Sequence, residues 1–137
     1  MDYQKLMEQR NRNNPFAKLL GITITEISEG HATAELSVRE DHFNPQNSVH
    51  GGCLFSLADA ACGSAGASYG WNITTIDSDF HFLRAGLTST RLIAEATCIK
   101  PGKSIMVMEV RVTDQTGQLL AAGIYTLSRL KTMIDLF

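Results

Sequence analysis

Apolar and polar positions change their period several times along this 137-residue chain, and each change marks an element. From Asp2 to Arg12 the chain is polar, relieved only by Tyr3, Leu6 and Met7, which predicts no more than a weakly held surface helix. Asn14-Pro15 then offers a capping side chain followed by a proline at the first helical position. Gly21 supplies a stop, so Pro15 to Leu20 reads as a short helix. Polar residues space Ile22, Ile24 and Ile27, Gly30 breaks the run, and His31 to Val38 alternates with Ala32, Ala34, Leu36 and Val38 on one face. Two strands are expected there. Arg39 to Val49 is a loop with Asn44, Pro45, Asn47 and Ser48 as turn residues.

At Gly51 the alternation stops. Gly51 to Tyr69 is built from Gly, Ser and Ala around Leu54 and Leu57, and reads as one long helix that Gly70 ends. Four strands follow: Ile73 to Leu83, Arg91 to Ile99, Ile105 to Thr113, and Leu119 to Leu127. Turns are expected at Lys100-Pro101-Gly102-Lys103 and Asp114-Gln115-Thr116-Gly117. Short connections among the last four strands require antiparallel neighbours and argue against a parallel α/β sheet. One long central helix against an antiparallel sheet of about six strands is an α+β arrangement.

Length fits one domain, residues 1–137, with 1–20 as an N-terminal helical segment and 21–130 as the core. A net charge of -2 gives no broad attraction to nucleic acid or to acidic membranes. Residues 51–71 lack the Leu/Ile/Val density of a membrane span. No apolar signal region follows the polar start. Cys53, Cys62 and Cys98 form no CxxC pair, which predicts a reduced, cytoplasmic protein. His31, His42 and His81 have no ligand spacing, so neither a metal nor another cofactor is expected.

Candidate chemistry centres on Asp59, the single charge between Gly51 and Tyr69. At 100° per residue it shares a stripe with Gly52, Phe55, Ser56, Cys62, Gly63 and Gly66. Apart from Phe55 these are small, so the stripe is expected to leave space for an acyl group beside Gly63 and Gly66. One reading is a buried acid satisfied by a backbone group or an arginine elsewhere in the chain. The other is a desolvated base or nucleophile at a pocket floor. Gly51 and Gly52 are expected to present free N–H groups at the positive end of the helix, where an oxyanion is stabilised. Eight residues separate Gly51 from Asp59, about 12 Å along a helix. One helix therefore cannot bring both to one carbonyl, and cooperation between them requires two copies of the chain.

The run Asn44-Pro45-Gln46-Asn47-Ser48-Val49-His50-Gly51-Gly52-Cys53-Leu54-Phe55-Ser56-Leu57-Ala58-Asp59 resembles the signature of hotdog-fold acyl-CoA thioesterases, in particular the PaaI-like (phenylacetate-pathway) branch. Phe82-Leu83-Arg84-Ala85-Gly86 is similar to that branch as well. The resemblance implies a hotdog fold and hydrolysis of an acyl-CoA substrate, in homodimers with shared sites that pair into a homotetramer. It implies that Asp59 is the catalytic acid, that the Gly51 N–H polarises the carbonyl, and that His50 and Asn44 orient the carbonyl or the water. It implies substrate contacts at Gly52, Thr75, Phe55, Gly63 and Arg84. Two departures from the pattern are Asn47, where the family often has Gly, and Ala85, where Pro is frequent. Arg84, Lys100 and Lys103 are candidates for the coenzyme A phosphates. A non-catalytic acyl-CoA-binding protein and a hotdog hydratase or dehydratase are the alternatives.

Overall fold

The computed structural model describes residues 1–136. Its elements are α1 (Tyr3–Arg12), α2 (Pro15–Leu20), β1 (Ile22–Ser28), β2 (His31–Ser37), α3 (Gly51–Ala67), β3 (Trp71–Phe82), β4 (Arg91–Pro101), β5 (Ile105–Asp114) and β6 (Leu119–Met133). A single 3-10 turn, Glu40–His42, lies in the loop before α3. The six strands form one antiparallel sheet in the order β1-β2-β4-β5-β6-β3. This sheet wraps α3, giving the α+β hotdog architecture that the resemblance implies.

Alternation places the core. Leu36, Leu92, Ala34, Ala94 and Val112 face α3 from paired positions on β2, β4 and β5. Ala58, Ala61, Cys62 and Ala65 meet them from the helix with no exposed surface. Small residues on α3 let the strands come close, and bulges at Ile24/Glu26, Thr75/Asp77 and Cys98/Lys100 bend the sheet around it.

Three expectations need correction. The last four strands are not consecutive neighbours: β3 pairs with β6, while β4 lies between β2 and β5. The segment after β3 therefore crosses the sheet instead of forming a hairpin. β6 also runs to Met133, six residues beyond the periodic stretch, because the twelve-residue β3 pairs with it as far as Trp71↔Met133. Finally, α1 is docked. Leu6 is fully buried, Tyr3 and Met7 pack on the core, and Asp2 caps the helix by accepting from the Lys5 N–H. Asn11 clamps it to β1, accepting from the Ile24 N–H at 2.8 Å and donating to the Ile24 carbonyl at 2.9 Å.

Gly123 on β6 has a structural reason to be glycine. A Cβ there would lie 2.2 Å from the Asp79 carbonyl oxygen and 2.7 Å from the Phe80 Cα. Neither backbone atom can move without opening the β3–β6 ladder. Gly123→Ala is expected to cost about 1–3 kcal/mol, read as a lower urea midpoint with unchanged slope.

Candidate active site

The loop before α3 is organised by its own polar side chains. Asn44 Oδ1 accepts from the N–H groups of Gln46 and Ser48, and its Nδ2 donates to Ser48 Oγ at 2.8 Å. Asn47 adopts φ 59°, the left-handed turn that asparagine tolerates in place of glycine. Buried His42 accepts from the Arg39 N–H through Nδ1 and donates from Nε2 to the Leu20 carbonyl at 2.7 Å. Its carbonyl receives the His50 N–H, and the Gly86 carbonyl receives the Val49 N–H, which holds the chain at the start of α3.

His50 is the N-cap of α3. Its Nδ1 accepts the Gly52 N–H at 2.8 Å, leaving Nε2 with the proton and facing solvent. The expectation of two free glycine N–H groups is thereby corrected, because the cap takes that of Gly52. The Gly51 N–H has no acceptor among the described residues and stands alone at the positive end of a 17-residue helix. The Phe82 ring lies over it, 3.1 Å from where a Gly51 Cβ would be.

Two turns along α3, Asp59 is half-buried and bonded: its Oδ1 accepts from Thr75 Oγ1 at 2.7 Å. Thr75, which the resemblance implies as a substrate contact, thus lies against Asp59 across the β3–α3 contact. A cleft of about 240 Å³ opens beside Asp59, walled by Asn14, Phe16, Phe55, Ser56 and Ala60. A larger and more polar cleft lies between Gln9, Asn13, Asn72 and Asp135 but does not include Asp59. Size is the weaker criterion here, since the first cleft sets the lone carboxylate of α3 against the apolar walls of Phe16 and Phe55.

Space is not where the small-residue stripe predicts it. A Cβ on Gly66 would meet Leu127 Cδ1 at 2.6 Å, and one on Gly63 would meet Arg10 Nη2 at 3.0 Å. Both glycines are buried, one under β6 and the other under α1. The open side of the helix is instead the Phe55–Ser56–Asp59–Ala60 face.

Arg84 is exposed after β3, and the Gln118 amide oxygen turned toward it accepts from Nη1 at 2.8 Å and from Nε at 3.2 Å. Its backbone is bonded to Leu120, whereas the carbonyl of Lys103 receives Arg129 at the far end of β6. Nine residues of strand, about 30 Å, separate these points. Arg84 and Lys103 of one chain therefore do not converge on one phosphate group.

The neighbours of Asp59 include two groups that sequence patterns did not single out. Tyr125, fully buried on β6, donates to the Phe55 carbonyl at 2.9 Å and packs on the Phe55 and Phe80 rings. Burial, then Cys62 and the charge of Asp59, push its phenol up from its ordinary range and keep it neutral. Arg10 reaches over from α1, with Nε donating to buried Ser64 Oγ at 2.6 Å. Cys53 and Cys62 are poor nucleophiles. Burial raises the Cys53 thiol to about 11 against an opposing effect of Arg39, and it raises the Cys62 thiol with help from Asp59. No metal-ligating cluster and no helix long and apolar enough to cross a membrane occur among the described residues.

A carboxylate with a bonded hydroxyl, on a helix with one unpaired N–H at its start and a sheet wrapped around it, defines a hotdog-fold domain equipped for acyl chemistry. Residues 46–121 match the Thioesterase superfamily, and the chain belongs to that superfamily of thioester hydrolases. It is 36% identical to the Escherichia coli acyl-coenzyme A thioesterase PaaI over 80% of this chain and 78% of that protein. The solved structure of E. coli PaaI, from the phenylacetic acid degradation operon, superimposes with a TM-score of 0.89 at 30% identity, covering 97% of this chain and 99% of that one. A Streptococcus mutans protein solved bound to acetyl-CoA gives a TM-score of 0.78 at 25% identity, covering 82% and 91% of the two chains.

Proposed function

We propose that this protein is an acyl-CoA thioesterase that hydrolyses an aryl- or medium-chain acyl-CoA to the free acid and CoA, at sites shared between two copies of the chain. The observation that carries the reading is the Asp59–Thr75 pair beside an apolar cleft, on the helix whose first N–H is unpaired. The Gly51 N–H of one copy donates to the thioester oxygen. Asp59 of the other copy takes a proton from water as the water oxygen adds to the carbonyl carbon, or attacks that carbon itself. Collapse breaks the C–S bond, and the CoA thiolate leaves and takes up a proton; on the nucleophilic route water then hydrolyses the acyl–Asp59 anhydride to the free acid and restores the carboxylate. Thr75 donates to Asp59 and accepts from the water, and His50 Nε2–H faces the bound carbonyl. Asn44 acts through the loop it builds. Gly52 contributes the lack of a side chain at the site mouth, and Arg84 is a contact for coenzyme A at its rim.

Shared sites also suit the sheet. β3 is an edge strand of twelve residues with exposed Ile76 and Phe82. A long unpaired strand edge is a template for a second copy, and pairing there sets two α3 helices side by side. Two such dimers form the homotetramer, and the enzyme works in the cytoplasm. Phe16 and Phe55 at the cleft favour an aryl or medium-chain acyl group. The similarity to a thioesterase from a phenylacetic acid operon and to a protein holding acetyl-CoA supports the substrate class.

A thiol-release assay over acetyl-, hexanoyl-, octanoyl-, benzoyl- and phenylacetyl-CoA tests this. The aryl and medium-chain esters should exceed acetyl-CoA by about tenfold or more in kcat/KM, the worth of a few buried methylenes. Binding without release of thiol from any member would establish a carrier. Water addition to an enoyl-CoA with the thioester left whole would establish a hydratase.

A further inference from the structure

The surroundings of Asp59 contain two neutral groups that feel its charge, the Cys62 thiol and the Tyr125 phenol, and one hydroxyl, Thr75. None of them balances a negative charge. The cation on this face is Arg10, which comes from α1, the helix whose polar sequence predicts only weak attachment. Three features place it there. Its Nε donates to Ser64 Oγ at 2.6 Å, and Ser64 has no exposed surface. Its Nη2 lies 3.0 Å from the Cβ position of Gly63, so any larger residue there would displace it. Asn11, next in sequence, locks α1 to β1 through both backbone groups of Ile24. Gly63 and Ser64 follow Asp59 by four and five residues, so the guanidinium sits about one turn of α3 beyond the carboxylate. Arg10 forms no ion pair within 4 Å among the described residues. Burial lowers its affinity for a proton and the charge of Asp59 raises it.

We infer that Arg10 is a positioning residue for the reaction: its guanidinium, tethered by Ser64 and admitted by Gly63, is the fixed counter-charge that keeps the Asp59 carboxylate aimed at the cleft. A carboxylate that loses water when a second copy and a substrate close over it needs a compensating charge. A cation one turn away compensates without forming a contact ion pair, which would occupy the oxygen required for chemistry. The small residue at Gly63 then has a purpose unrelated to the acyl group. It makes room for the guanidinium.

This inference rests on Asp59 as the reacting carboxylate, and the experiment separates the two. Steady-state thiol release is measured for Arg10→Gln, Arg10→Met, Arg10→Lys and Ser64→Ala, with Asp59→Asn as reference and thermal midpoints recorded for each. Loss of the charge in Arg10→Gln and Arg10→Met should lower kcat about tenfold with KM within twofold. Arg10→Lys, which keeps the charge, should retain at least about a third of parental kcat. Ser64→Ala, which frees the guanidinium without removing it, should fall between them. Arg10→Gln added to Asp59→Asn should cost nothing further, since the carboxylate it serves is gone. A lysine variant as impaired as the glutamine one, or losses confined to KM, would overturn the inference in favour of plain helix docking. So would parental kcat in all Arg10 variants. If the charge-removing variants fail to fold, parental kcat in Ser64→Ala overturns it and a selective fall in kcat upholds it. Parental activity in Asp59→Asn would instead remove the underlying reading.

Discussion

Asp59→Ala is expected to lower kcat by about 100- to 10,000-fold, the usual worth of a positioned general acid or base. That corresponds to roughly 3–5 kcal/mol of transition-state stabilisation. Stability should fall only modestly, since buried Arg10 loses the charge it faces while the hydrogen bonding around Asp59 is easily replaced. Asp59 is half-buried, its bonded partner is one threonine hydroxyl, and that hydroxyl can turn to water when the carboxylate is gone. Asp59→Asn is the sharper variant. Its amide oxygen can still accept from Thr75 Oγ1, so shape and hydrogen bond survive while charge, basicity and nucleophilicity are lost. The two variants should therefore be equally impaired, with midpoints within a few degrees of the parent. Parental thiol release by either would move the chemistry away from this helix.

The second large effect is expected at Gly51, where Pro is the informative replacement. The proposed contribution of Gly51 is one N–H, and proline removes only that donor. Position 51 is the first residue of α3, where proline is well tolerated because the helix itself does not use that N–H. His50 already has φ -61° and ψ 137°, the extended geometry that a residue before proline requires. The added ring would press on Phe82, which is largely exposed and can turn aside. Gly51→Ala controls for that contact, since it adds a Cβ and keeps the N–H. We expect Gly51→Pro to lose about 100- to 1000-fold in kcat, the scale of one oxyanion donor, and Gly51→Ala to lose far less.

Mixing the two inactive chains tests whether sites are shared. In a heterodimer of Asp59→Ala with Gly51→Pro, one site combines the intact Gly51 of the first chain with the intact Asp59 of the second. The other site has neither. Random exchange at equal amounts makes half the dimers mixed, each with one working site, so about a quarter of parental activity should return. If both residues served the same site from a single chain, every site would lack one of them and nothing would return.

Much of this site was legible in the sequence. A single charge on a small-residue helix marked Asp59. The 1.5 Å rise per residue alone separates it from Gly51. The helix and the inward faces of β2, β4 and β5 followed from local period, since alternation reports directly which side of a strand is buried. Asn47 at φ 59° was also foreseeable from residue type.

What local period does not report is the identity of the group across the gap. The place of β3 beside β6, the full length of β6, and the 2.7 Å bond from Thr75 to Asp59 all depend on pairings between distant segments. The stripe of small residues illustrates the limit. Gly63 and Gly66 read as missing volume in the sequence, but only packing decides what fills it: Arg10 over one and Leu127 over the other. Arg10 itself extends the Tyr3–Leu6–Met7 stripe by one helical step. By itself the sequence determined that a carboxylate and a helix end would be presented on one buried helix, because spacing and side-chain volume are properties of the chain. Only the tertiary structure decided which hydroxyl bonds that carboxylate and which cation is carried to its helix, because Thr75 and Arg10 lie 16 and 49 positions from Asp59 in the chain.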